Sequence, residues 1–265
     1  MKTSAGLLAL LLCLGAARAA AHTPYLAPST FSPQPGQTIA VDAAFAEMFF
    51  VPEAAFDQTT LSVTSPDGSV APFERTVTMK TRVAAEHTLP KISGTYRLDS
   101  GLRHGATFRV WEVDGKQESS RDAQAPIPAG AKVLSNFQAL TRAEAYVTVK
   151  ALDRRVLAAR GQGLEFVVST HPNDLYVGES FAFSVHYDGK PLAHQAIEVT
   201  EAVWTSDREP EVVTLTSDAQ GRVVLPLKRA GTWVALARHR TPAPAGAPVA
   251  EYSNSYTLTF RVLNP

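Results

Sequence analysis

The stretch Ser180–Lys190, SFAFSVHYDGK, decides the fold class. Phe181, Phe183 and Val185 recur at every second position, with His186 on the opposite parity. Side chains of a strand project alternately to its two faces, so this period buries an aromatic face and turns the other outward. A helix would scatter the same three residues around its axis. Asp188-Gly189 then provides the residue types of a tight hairpin turn. Upstream lie GLEFVV (163–168) and a Pro-Asn-Asp turn. Downstream, IEVTEAVWTS, EVVTLTSDAQG, RVVLPLKRAG, TWVALARH and SYTLTFRV supply further strand-length segments.

The first half repeats the pattern. QTIAVDAAF follows Pro35-Gly36, TTLSVTSPDGSVAPF runs into the turn Pro66-Asp67-Gly68, and GTYRLDSG and ATFRVWEVDGK end in glycine turns. In AEAYVTVKAL, Val147 and Val149 share one face and Tyr146 and Thr148 the other. An internal echo links the halves: PGQTIAV (35–41) with VGESFAF (177–183), and SGTYRL (93–98) with AGTWVAL (230–236). No stretch carries a long helical stripe; AAFAEMFFVPEAAF is apolar without a stable period and is broken by Pro52. The reading is all-β, with two β-sandwich domains, immunoglobulin-like or related, in tandem over residues 22–160 and 161–265.

Residues 1–21 have the form of a secretory signal. Lys2 precedes the apolar run LLALLLCL, and Ala17-Arg18-Ala19 and Ala19-Ala20-Ala21 offer two cleavage sites. The run is short for a membrane span and no later stretch equals it, so the expectation is an exported, periplasmic protein with no integral membrane segment after cleavage. Cys13, the single cysteine, lies inside the run; its removal excludes disulfides, thiolate metal sites and cysteine catalysis. Loss of Lys2 and Arg18 takes 25 basic residues to 23 against 25 acidic, a net charge of −2. That balance excludes the basic footprint of a nucleic-acid binder. The sequence also lacks a phosphate-binding loop, a dinucleotide-binding glycine pattern and a serine nucleophile elbow, which argues against an enzyme.

The mature chain resembles the exported family DUF4198, related to periplasmic nickel/cobalt-uptake accessory proteins. The resemblance rests on Ala21-His22 followed by Leu26-x-Pro28-Ser29, Pro35-Gly36 before a strand, GLEFVV, and the Val177-Gly178-Glu179 strand entry. It continues in Asp188-Gly189-Lys190-Pro191-Leu192, Thr216-Ser217-Asp218-x-x-Gly221-Arg222 and Ala230-Gly231-Thr232-Trp233. Thr23-Pro24-Tyr25 departs from the acidic and aromatic residues usual after the histidine. The resemblance implies a two-domain β protein of the bacterial envelope that serves transition-metal uptake, with an envelope metal transporter or receptor as partner.

His22 is the leading metal-ligand candidate. Cleavage after Ala21 makes it the first residue, so its amine and imidazole chelate one ion. Cleavage after Ala19 gives Ala20-Ala21-His22, whose amine, two amides and imidazole form a square-planar site for Cu²⁺ or Ni²⁺. The sequence allows both cuts. Glu86-His87 is a secondary donor pair that serves one ion only if the segment is a loop, because adjacent strand residues point oppositely. His104, after a Gly101-Leu102-Arg103 turn, is another. His171 begins H-P-N-D and reads as a turn-orienting residue, His239 as core-edge packing, and Met48 as part of an aromatic core. The function expected is a non-enzymatic binding or accessory protein for nickel, cobalt or copper. Its alternative is a structural or protein-interaction β-sandwich module of the cell envelope. A sugar platform built from Trp111, Trp204 and Trp233 is a third reading.

Overall fold

A computed structural model describes residues 22–203 and 207–265. The signal segment 1–21 and Trp204 lie outside the described residues. The strands are β1 Thr23–Pro28, β2 Thr38–Ala46, β3 Ala54–Ala55, β4 Ser62–Thr64, β5 Val70–Pro72, β6 Arg75–Thr78 and β7 Val83–Thr88. They continue with β8 Gly94–Asp99, β9 Arg103–Val113, β10 Lys116–Ser120, β11 Lys132–Val149, β12 Leu164–Val168 and β13 Ser180–Tyr187. The series ends with β14 Lys190–Pro191, β15 Ala196–Glu201, β16 Val212–Thr216, β17 Arg222–Pro226, β18 Gly231–Pro242 and β19 Glu251–Val262. Helical structure among these residues is limited to a 3-10 turn, Arg155–Leu157.

The alternation that opened the sequence reading holds: Phe181, Phe183 and Val185 are buried, and β13 hairpins into β14. Asp188 and Gly189 both adopt positive φ, 48° and 74°, which the tight turn between those strands requires. β13 lies in a small sheet with β12, β14 and β17. A second small sheet has the order β1-β2-β7-β6, with β3 added to β2. Both pack against one ten-stranded sheet, ordered β16-β15-β18-β19-β11-β8-β4-β5, to which β9 and β10 attach through β11. The result is a pair of sandwich-like layers built on a common sheet.

The cores are separate although that sheet is continuous. Ile39, Val41 and Ala85 of the first small sheet meet Tyr96, Leu98, Ala145 and Val147 of the large one. Phe166, Phe181 and Phe183 of the other small sheet meet Tyr256, Leu258 and Phe260. β11 belongs to both: Ala143, Ala145, Val147 and Val149 enter the first core, while Tyr146, on the other parity, enters the second. The sheet crosses the 22–160/161–265 division because β11 pairs antiparallel with β8 and parallel with β19. Val156 and Leu157 of the first half join Tyr146 in the second core.

The link between halves is pinned by charge. Arg142 holds Asp99 through two bonds, Nε–Oδ1 at 2.9 Å and Nη2–Oδ2 at 2.8 Å. Arg160 reaches Asp99 Oδ2 at 3.1 Å and also pairs with Glu144, which accepts from the Tyr256 hydroxyl. The backbone N–H groups of Arg160 and Gly161 donate to Glu165 at 2.8 and 2.9 Å. Glu144 and Glu165 are buried, where a carboxylate without hydrogen-bond partners is costly, and these contacts supply them. Burial pushes the Asp99 carboxyl up, but bonding from Arg142 and the charge of Arg160 outweigh it and hold it below the usual range.

Candidate metal centre

Strand register places His22 beside two glutamates. In the β1–β2 pair, Thr23 lies opposite Ala46, so residue 22 and residue 47 flank the same end. After Ala46 the chain turns through Glu47–Glu53 and returns as β3, with Ala54 opposite Phe45. Both carboxylates thus sit at the rim where β1 begins. His22 Nδ1 lies 2.8 Å from Glu53 Oε2, and the Glu47 N–H donates to Glu53 Oε1 at 2.9 Å. One donor atom from each of His22, Glu47 and Glu53 lies within 4.8 Å of the others, and all three residues are exposed.

The turn that carries the glutamates is anchored by aromatic packing. Phe49 stands edge-on to Tyr25, centroids 5.6 Å apart, and Phe50 lies 4.8 Å from the same ring. Tyr25, Phe49 and Val234 form a small third core that fastens this corner to β18. Burial, followed by the nearby Asp42 charge, raises the Tyr25 hydroxyl above its usual range, so it remains neutral. The Thr257 hydroxyl also donates to the Pro24 carbonyl at 2.9 Å. The three side chains are therefore exposed while the backbone beneath them is fixed.

The three donors could coordinate a metal ion. An ion about 2.1 Å from each donor requires donor separations of at most about 4.2 Å, so a side-chain adjustment of a few tenths of an ångström closes the group. One imidazole with two carboxylates suits the borderline first-row metals better than soft copper(I) or an all-oxygen calcium cage.

The other sequence candidates do not converge with His22. Residues 83–88 are strand, not loop, so Glu86 is exposed on one face and His87 is buried on the other. His87 stands edge-on to Phe73, 5.7 Å between ring centroids, and serves packing. It lies opposite Ile39, seven positions along β2 from Ala46 and so roughly 24 Å from the His22 corner at about 3.4 Å per residue. His104 is exposed on β9 opposite Leu140, in the large sheet. His171 orients its turn: its Nδ1 accepts from the Asn173 N–H at 3.1 Å, and Nε2 lies 3.1 Å from the Asp153 carbonyl. His239 lies 5.2 Å from the Tyr187 ring, between centroids. Met48 is exposed instead of joining the aromatic core. Trp111 and Trp233 are buried, which removes them from a sugar platform; Trp204 is not among the described residues.

Glu47 and Glu53 are the site residues that sequence reading missed. Their signal lay in EMFFVPE, read as core: the aromatics are packed, but the flanking acids mark the two ends of a hairpin turn.

A family model described as a domain of unknown function (DUF4198) matches residues 19–241. The chain belongs to the DUF4198 family. DUF4198 is related to periplasmic nickel/cobalt-uptake accessory proteins. No curated protein matches this DUF4198 sequence. Among solved structures, it is similar to the D0-D1 domain of intimin, with 11% identity over 89% of this chain and 96% of that one, TM-score 0.21. A DUF4785 protein of Legionella pneumophila shares 10% identity over 80% of this chain and 50% of that one, TM-score 0.25. The Yersinia pseudotuberculosis adhesin InvE shares 14% over 90% and 58%, TM-score 0.21. Among the described residues no helix is long and apolar enough to cross a membrane.

Proposed function

We propose that this DUF4198 protein works by binding alone: it is an interaction module of the cell envelope that takes up a nickel, cobalt or copper ion at His22, Glu47 and Glu53. The gathering of those three donors at one rigid corner carries the metal part. The atom of His22 that faces Glu53 is Nδ1. That nitrogen closes a chelate ring with the residue's own backbone nitrogen. Cleavage after Ala21 turns the backbone nitrogen into a free amine, adding a second strong donor beside the carboxylates. Cleavage after Ala19 gives a four-nitrogen plane that leaves both glutamates without a role, so the glutamates favour the first cut. The site is open, which supports exchange of the ion with an envelope transporter or receptor over long-term storage.

The interaction part draws on the architecture. A continuous sheet braced by two cores makes a stiff body whose uncovered strand edges offer backbone hydrogen bonds to another chain.

Calorimetric titration with Ni²⁺, Co²⁺, Cu²⁺ and Zn²⁺ tests the metal part. Processed wild type is expected to bind one ion per chain, and His22→Ala to bind at least tenfold more weakly. A chain extended before His22 keeps the imidazole but loses the amine, and it too is expected to weaken. Absence of saturable binding by processed protein overturns the metal reading.

A further inference from the structure

We infer that the free edge of β16 and the slot beside it form a docking site for an extended segment of a partner protein, carrying one large apolar side chain next to a carboxylate. The inference deepens the interaction-module reading and rests on it. Its first support is a contrast among edge strands. An unpaired edge invites strand addition, and proteins guard such edges with proline, charge or brevity. Here β1 carries Pro24 and Pro28, β5 Pro72, β6 Arg75, β12 Glu165, and β17 Arg222 and Pro226, while β10 and β14 are charged and β3 spans two residues. The terminal strand of the large sheet, β16, reads Val-Val-Thr-Leu-Thr and has none of these devices.

The direction of its backbone groups follows from the pairing. Glu201 N–H donates to Glu211 O at 2.8 Å in the antiparallel β15–β16 register. Hydrogen-bonded pairs alternate, so residues 213 and 215 bond to β15 while the amides and carbonyls of Val212, Thr214 and Thr216 point to the open side. Among the described residues no strand pairs there.

The second support is the slot. β16 ends one sheet and β17 edges the other, and the gap between them opens a cavity of about 250 Å³. Val213, Leu215, Leu225, Leu227 and Trp233 line it. Val213 and Leu215 face the core yet remain partly exposed, because among the described residues no strand covers them from the side. An apolar cavity of about 150 Å³ accommodates benzene, so this one has room for a phenylalanine or leucine side chain. The Trp233 indole N–H is buried and has no hydrogen-bond partner among the described residues.

Charge selects the occupant. Lys228 and Arg229 stand at the mouth; Arg229 is already paired with Glu211 at 3.3 Å, and Lys228 has no ion pair among the described residues. A carboxylate on the incoming segment would answer Lys228. A second copy fits less well, because its own β16 has no acidic residue and its Val213 and Leu215 already wall its own slot.

The test is selection of random heptapeptides displayed on phage against the processed full-length protein. Enriched peptides are then remade with a fluorescent label for anisotropy on wild type, Thr214→Pro, Lys228→Glu and His22→Ala. Proline at an outward amide of an edge strand spares the β15 ladder; should that variant lose its cooperative melt, Thr214→Lys replaces it. The expected consensus joins an aromatic or leucine to a nearby acid, with at least tenfold weaker binding to the β16 and Lys228 variants and none lost in His22→Ala. Peptides that bind Thr214→Pro as tightly as wild type overturn the β16 assignment but leave the interaction reading in place. Failure to enrich any peptide that wild type binds above an unrelated β-sandwich protein overturns both. Dimerisation of wild type seen by light scattering and lost in Thr214→Pro would assign the edge to a second copy instead and overturn the proposal.

Discussion

Two of the acidic clusters among the described residues differ in what they face. Asp99, Glu144 and Glu165 lie where the halves join, each buried and each answered by an arginine or by backbone N–H groups. Glu47 and Glu53 lie at an exposed rim with one histidine and, among the described residues, no arginine in their ion pairs. The first cluster spends its bonding capacity inside the molecule and the second keeps it for something outside. A carboxylate's role therefore follows from its partners and solvent access more than from its presence in a cluster.

The sharpest way to break the contrast is to remove Arg160. Arg160→Ala leaves the buried Glu144 without its cation and removes one of the four hydrogen bonds to Asp99, an expected loss of about 3–5 kcal/mol measured by urea unfolding. A change under about 1 kcal/mol would mean that water replaces the guanidinium and that the junction is not sealed. Next in size is the response to acid. Desolvation lowers the pKa of His171, so its buried neutral ring contributes stability fully present above the unfolded value near 6.5 and lost as pH falls through the folded value. The Asp99 carboxyl, held below its usual range, contributes stability present above about 4 and lost as pH falls through its own folded value. Denaturation series from pH 8 to pH 3 should show two successive declines, the upper one flattened in His171→Gln and the lower one in Asp99→Asn. A single decline unaffected by either variant would contradict the assignments.

The smallest expected stability effects fall at the rim. His22→Ala and Glu53→Gln should each change unfolding free energy by no more than about 1 kcal/mol, since an exposed ion pair contributes little. Yet both should weaken metal binding at least tenfold. A rim variant that destabilises the fold as strongly as Arg160→Ala would make the corner structural and erase the distinction between the clusters.

Much of this fold was legible in period-two runs and turn residues. Phe181, Phe183 and Val185 announced a buried face, and Asp188-Gly189 its hairpin. The shared sheet was not legible, because strand pairing between Phe137 and Glu251 is written nowhere in local spacing. AEAYVTV displayed alternation but not the fact that both parities are covered, each by a different core. For the site, His22 stood out by its position after the cleavage signals. Glu47 and Glu53 stayed hidden because only the register of three strands brings them to it. Glu86 and His87 looked paired in sequence, and the strand that contains them sends them apart.

The central place of β19 has a consequence for how the molecule is assembled. This strand is last in order, but it fills the position between β11 and β18 and pairs with both along much of its length. Until it docks, each neighbour has a bare edge and the second core lacks Tyr256, Leu258 and Phe260. Contacts between segments so distant along the chain form slowly. The refolding rate should therefore be set by the arrival of residues 251–262, and a chain clipped before them should leave two sticky edges to its neighbours instead of a smaller working protein.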